Sequence, residues 1–242
     1  MKTESGKRPT LFDETWFYAP LAGDAAPGSS ARLPEEEAHH AARVLRLRAG
    51  AEIAVTNGEG AVYRAVLRDD LGNIEVTEAL AIEPGPGLGV GLPILKGRDT
   101  EQPAEAICEF AVRDLFLLNL DHSETFKGQD FSKLVERLRT KSLTALKQAK
   151  KAWLTRIHAP QGLEAWRTAH RGIPLAVAHP GEDTVPSPLP PSLHVLTGPE
   201  GGFSDAELSF LFEEEKAYRL SLGPTRLRAI HAPVAALGKL TG

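Results

Sequence analysis

The chain has 242 residues, 42% of them hydrophobic, with 28 Lys and Arg against 32 Asp and Glu for a formal net charge of −4. That length accommodates one large or two ordinary domains with real cores, and no stretch approaches the ~18 consecutive apolar residues of a membrane span. The charged start Met1-Lys-Thr-Glu-Ser-Gly-Lys-Arg8 carries no apolar signal segment, so a cytoplasmic, non-membrane protein is expected.

The polar residues 1–10 read as a loose extension. Strand-like runs follow at 16–18, 53–56, 62–67 and 74–77, separated by the turn pairs Asn57-Gly58, Asp69-Asp70 and Gly72-Asn73. Short strands with such turns predict a small barrel, interrupted by a helical stretch over 35–48. The proline- and glycine-rich segment 83–91, which contains Gly85-Pro-Gly-Leu-Gly-Val-Gly91, reads as a linker. Beyond it, strand-like runs at 114–120, 174–178, 193–197 and 218–222 alternate with helical patterns, as in a parallel sheet. Residues 180–191 hold five prolines in twelve positions and read as a stiff surface loop, with disorder the alternative. The single cysteine, Cys108, excludes a disulfide framework within the chain and any multi-cysteine zinc site, and its apolar helical context predicts burial. The eight histidines form no helical pair of the HExxH kind, so no metal is implied.

The most informative segments lie near the C-terminus. Thr197-Gly-Pro-Glu-Gly-Gly-Phe-Ser204 and Ser221-Leu-Gly-Pro-Thr-Arg-Leu-Arg228 each follow a predicted strand. Between them, Ser204 and Glu207 form a capping box and Phe203 and Leu208 a hydrophobic staple, which predicts a helix starting at Asp205. Leu208, Leu211 and Phe212 would face the core, and Glu213, Glu214 and Glu215 the solvent. In open α/β sheets ligands sit beyond the carboxyl ends of strands, and glycines let a ligand approach the main chain. A tight strand-to-helix turn without a ligand is the alternative. No GxGxxG or GxxxxGK[ST] pattern opens a helix, so a phosphate-cradling nucleotide site has no support.

Between Lys133 and Arg156 stand eight basic residues against the single acidic Glu136. Leu134, Leu138, Ser142, Ala145, Ala149 and Trp153 recur there at helical spacing, so one stripe is expected to face the core while the basic residues project. Arg43, Arg46 and Arg48 make a second basic cluster, and two such clusters outline a path for a nucleic-acid backbone. The RNA-contacting candidates are Arg43, Arg46, Arg48, Lys147, Lys150 and Lys151; a solvated basic face is the alternative.

TGPEGGFSDAEL, SLGPTRLRA and the earlier HAARVLRLRAGAEIAVTNGEGAVYRA resemble the bacterial RsmE family of small-subunit ribosomal RNA uridine-N3 methyltransferases, within the knotted SPOUT superfamily. The similarity runs from about Leu11 to Leu240 with the motifs in the family's order. It implies a PUA-like β-barrel over 11–84, an α/β domain with a parallel sheet and trefoil knot over 91–242, a homodimer, and S-adenosyl-L-methionine bound in the knot. Its target would be N3 of a uridine in small-subunit ribosomal RNA, the alternatives being another RNA target or an RNA- or cofactor-binding protein without catalysis. The cofactor would be held by main-chain groups around Ala178, Thr197, Gly198, Pro199, Glu200, Gly201, Gly202, Leu222, Gly223 and Leu227. Arg228 would hold a phosphate or stabilise charge on the target base, with an ion pair across the dimer as its alternative. The chain departs from the family at three places. Ile230 and His231 stand where the family has a glutamate and a threonine, Asp121-His122-Ser123 replaces Glu-Arg-Ser, and Gln148-Ala149 lacks a hydroxyl or thiol. His231 is a candidate substitute base, with a helix-surface or interface histidine as its alternative.

Overall fold

The computed structural model describes residues 14–69, 72–81, 87–96, 99–123 and 130–241; the expected N-terminal extension, Asp70 of one predicted turn and the first part of the expected linker lie outside them. The chain divides into two compact units, Met1–Pro84 with Leu146–Leu154, and Gly85–Ala145 with Thr155–Gly242. Leu146–Leu154 thus groups with the first unit although it falls within the span expected of the second domain.

The first unit contains β1 (Trp16–Tyr18), β2 (Ser30–Arg32), α1 (Glu35–His39) continuing through a wide turn at His40–Val44, β3 (Glu52–Thr56), β4 (Ala61–Leu67) and β5 (Asn73–Ala81). They form one sheet in the order β1-β3-β4-β5-β2, antiparallel except for β1 against β3. Alternation along β3 and β4 places Ile53, Val55, Tyr63 and Ala65 in one core with Phe17, Ile74 and Val76. The predicted Asn57-Gly58 turn forms as its chemistry requires. Gly58 takes φ 72°, and Asn57 Oδ1 accepts from the amides of Glu59 and Ala61.

The second unit is built on β6 (Gly87–Pro93), β7 (Val112–Asn119), β8 (Arg156–Gly162), β9 (Leu175–Ala178), β10 (Ser192–Leu196) and β11 (Tyr218–Leu220). All neighbours are parallel, in the order β11-β9-β10-β6-β7-β8. Helices α2 (Glu101–Glu109), α3 (Ser132–Gln148) and α6 (Ala232–Thr241) supply Ile107, Leu138 and Leu237 to the core on one sheet face. Helices α4 (Leu163–Ala169) and α5 (Asp205–Ser209) accompany a second core that contains Trp166, Val177, Leu196 and Leu211. Cys108 is buried in α2, as expected.

The expected linker is corrected. Residues 87–93 form a central strand between β10 and β7. Leu88, Val90 and Leu92 point into the first core, while Gly89 and Gly91 lie beneath large side chains on the opposite face. A Cβ at Gly89 would come within 2.6 Å of the His194 ring, and one at Gly91 within 2.8 Å of Leu118. The glycines are there because neighbouring strands bring bulky groups over them, a demand that local composition does not reveal.

Two further expectations change. Helix α3 ends at Gln148, so Ala149 and Trp153 leave its stripe, and Trp153 instead covers Gly60, where a Cβ would lie 2.3 Å from the indole. Glu215, expected in solvent, pairs with the buried guanidinium of Arg167 at 2.8 Å. The chain 180–191 runs without helix or strand, as read from its prolines.

Candidate functional site

Strands β11, β9 and β10 are consecutive neighbours in the sheet, so the loops leaving their carboxyl ends converge. These loops enclose an open cavity of about 780 Å³, within the usual size range for a small-molecule site. The loop after β9 contributes Ala178, His179 and Pro180. The loop after β10 contributes Gly198, Pro199, Glu200, Gly202 and Phe203. The segment after β11 contributes residues 222–230 and Ala232, and Asp99 completes the wall. Apart from the Arg226, Arg228, Glu200, Asp99 and His179 side chains, the wall is largely apolar or main chain, which suits a flat heterocycle.

Two of the glycines expected to admit a ligand, Gly202 and Gly223, line the cavity with open backbone. Gly202 has φ 76° and Gly223 φ 104°, a backbone that side chains rarely tolerate, and a Cβ on either would project into open space. Gly201 has a different reason. It does not line the cavity, and a Cβ there would sit 2.9 Å from the Cβ of His122. The loop after β7 therefore packs directly on the Gly-Gly turn. His122 Nδ1 lies 3.1 Å from the Gly202 carbonyl oxygen, Ser204 donates its hydroxyl to the Asp121 carboxylate, and the Asp121 amide donates to Glu207 Oε1 at 2.9 Å. Glu207 also closes the predicted capping box: its Oε2 accepts from the Ser204 amide at 2.9 Å, and its own amide donates to Ser204 Oγ at 3.2 Å. One carboxylate thus holds both loops.

Arg228 is exposed and lines the cavity, as does Ile230 at the glutamate position of the family pattern. Glu200 contributes its carbonyl oxygen to Arg226 Nη2 at 3.3 Å. His231 is exposed but does not line the cavity, so the structure does not bring the expected substitute base to it. Thr197 is fully buried, also outside the lining, and its hydroxyl has no hydrogen-bond partner among the described residues. Leu222 and Leu227 are at the wall, Leu227 36% exposed. The sequence reading pointed to the loop after Ala178 without naming His179, which Arg219 of β11 holds: Arg219 Nη1 stands 2.6 Å from His179 Nδ1 and donates to the Pro180 carbonyl at 2.8 Å. The only advance signal was position, immediately after a predicted strand.

The basic candidates separate. Lys147 forms an ion pair with Glu37, whose side chain is 6% exposed and also accepts from the Tyr18 amide, so Lys147 compensates a buried charge. Arg43, Arg46 and Arg48 are exposed on and just after the wide turn, next to Val44 at 60% exposure. Lys150 and Lys151 follow α3, with Lys150 at φ 53°. Within α3, Arg137 and Lys141 pair with Glu101 and Glu105 of α2, which reduces the basic face foreseen there.

On the α4 face of the sheet, His194 is buried between Trp166, stacked at 5.3 Å, and the Phe116 and His170 rings at 5.2 and 5.1 Å. Burial, with help from nearby His170 and Arg167, pushes its imidazole down to about 4. Burial would raise the neighbouring Asp114, but hydrogen bonds from His158 and Arg156 outweigh it and hold the carboxyl at about 2. Among the described residues no cluster of His, Cys, Asp or Glu is arranged to hold a metal ion, and no helix is long and apolar enough to cross a membrane.

A parallel sheet whose strand-end loops wall a cavity with bare main chain, in a chain that also carries a separate β unit, defines an α/β protein of the ligand-binding type with an accessory domain. The chain matches the RNA methyltransferase domain family over residues 84–241 and the RNA methyltransferase PUA domain over 33–78. It belongs to the RNA methyltransferase family, and its N-terminal β unit is PUA-like. The Ribosomal RNA small subunit methyltransferase E of Synechocystis sp. is 28% identical over 225 residues, 86% of this chain and 71% of that protein. A methyltransferase of Legionella pneumophila, solved with the bound cofactor SAM, superposes with a TM-score of 0.78 over 94% of this chain and 96% of the other, at 24% identity. Ribosomal RNA small subunit methyltransferase E from Neisseria gonorrhoeae, bound to S-adenosyl methionine, gives 0.77 over 94% and 96% at 20% identity. With these two structures the likeness is one of fold.

Proposed function

We propose that this chain methylates N3 of a uridine in small-subunit ribosomal RNA with S-adenosyl-L-methionine as methyl donor. The observation that carries this reading is the cavity after β9, β10 and β11, where Gly202 and Gly223 leave main chain open to a ligand and Phe203, Leu222 and Leu227 offer apolar surface for adenine. The residues present fit the cofactor. Ala178, Gly198, Pro199, Glu200, Gly202, Leu222, Gly223 and Leu227 would hold it, with Thr197 and Gly201 acting from behind the wall. When bound, the cofactor would supply an electrophilic methyl for transfer to uracil N3, leaving S-adenosylhomocysteine, while the N3 proton passes to an acceptor at the cavity wall.

Alignment of donor and base in one cavity is the first contribution of the protein. Arg228, at the wall, is placed to stabilise negative charge as N3 loses its proton. The proton acceptors at the wall are Asp99, Glu200 and His179, whereas His231 stands outside. Arg43, Arg46 and Arg48 of the PUA-like unit, with Lys150 and Lys151, track RNA phosphates. The reading includes a trefoil knot in the C-terminal domain, a homodimer and a cytoplasmic location, all supported by the family resemblance, and light scattering checks the dimer. Ile230 in the cavity favours a second reading, the same chemistry on a different RNA.

Mass analysis of ribosomal RNA nucleosides from a deletion strain decides the target. Loss of 3-methyluridine from small-subunit RNA, restored by the wild-type chain, is the expected result. Intact 3-methyluridine with another methylated nucleoside missing selects the second reading.

A further inference from the structure

We propose that His122 is a positioning residue that fixes the glycine turn of the cavity through the Gly202 carbonyl, and so sets the affinity for the methyl donor. This rests on the methyl-donor reading of the cavity. The turn 199–202 is closed by the Gly202 amide donating to the Pro199 carbonyl at 2.9 Å, and Gly202 itself faces the cavity in a left-handed conformation. A Gly-Gly pair has more backbone freedom to lose than any other, so an unpinned turn would charge its ordering to ligand binding. The loop after β7 removes that freedom beforehand. A carbonyl oxygen only accepts, so His122 Nδ1 carries the proton and donates to Gly202 at 3.1 Å. The Asp121–Ser204 and Asp121–Glu207 hydrogen bonds hold the adjoining backbone. Gly201 permits the contact, since the nearest atom to a Cβ there is the Cβ of His122. His122 reaches the ligand only through this turn and is not among the cavity residues.

The test is calorimetric titration of the full-length chain with S-adenosylhomocysteine, together with hydrogen exchange over 198–204 without ligand. His122→Ala removes the donor and is expected to weaken binding roughly three- to tenfold, the value of one hydrogen bond. It should also speed exchange of the turn at an unchanged melting temperature. His122→Asn keeps a donor at the Nδ1 position and restores both. Gly201→Ala weakens binding by pressing on the His122 Cβ. Binding by His122→Ala equal to wild type, or His122→Asn as weak as His122→Ala, overturns the proposal. A wild-type chain that binds no S-adenosylhomocysteine refutes the methyl-donor reading instead. Exchange over 198–204 then judges the latch by itself, and equal rates in wild type and His122→Ala overturn it.

Discussion

Acid should destabilise the C-terminal unit well above the pH at which its carboxylates titrate, and His194 is the reason. Its imidazole is 4% exposed, flanked by Trp166, Phe116 and His170, with Gly89 beneath it and its Nδ1 without a hydrogen-bond partner among the described residues. The charged groups around it are His170, Arg167 and His158, which oppose a proton, and Asp114, which favours one. The folded value is about 4 against an unfolded reference of 6.5, so the unfolded chain takes up the proton first. Stability from this residue is therefore complete above the unfolded value and is lost as pH falls from 6.5 towards 4. Between pH 7 and pH 5 the loss is about 2 kcal/mol, roughly twentyfold in the folding equilibrium. Asp114 does not contribute in that window. Its depressed value gives stability that is present above the carboxylate reference and is lost only as pH falls towards about 2. Guanidinium unfolding of wild type and His194→Leu, followed by circular dichroism at pH 7 and pH 5, measures the effect. Wild type should lose about 2 kcal/mol more than the variant over that interval. Equal losses in the two proteins would refute the reasoning.

Gly202→Val forces a β-branched side chain into a left-handed φ and into the cavity, so S-adenosylhomocysteine binding should fall at least about thirtyfold by calorimetry. If Arg228 stabilises developing charge as proposed, Arg228→Ala should lower the single-turnover methylation rate about a hundredfold, with S-adenosylhomocysteine affinity changed less than about threefold. Lys147→Met strands the buried Glu37 carboxylate and should cost about 3 kcal/mol in chemical unfolding. Arg43→Ala should leave stability unchanged while reducing the slope of log RNA affinity against log salt by about one, as loss of one phosphate contact does. Gly89→Ala drives a methyl into the His194 ring and should destabilise by about 2 kcal/mol, a cost typical of overpacking.

The sequence by itself determined the features that rest on local chemistry. Alternating apolar runs marked β3, β4 and the first part of β5, Ser204 and Glu207 marked the start of α5, and Asn57-Gly58 marked its turn, because periodicity, caps and turns are decided within a few residues. The glycine motifs also located two of the cavity's three walls. What tertiary structure alone decided depended on residues distant in the chain. β6 looked like a linker because its glycines answer to His194 and Leu118, which only strand pairing brings overhead. Gly201 looked like a ligand contact and proved to make room for His122, 79 positions earlier. Lys147 looked like a phosphate contact, and the structure adds its ion pair with the buried Glu37. His179 carried no motif and entered the cavity because β9 lies between β11 and β10. A packed interior assigns such residues by what approaches them from elsewhere, and that information is absent from any short window of sequence.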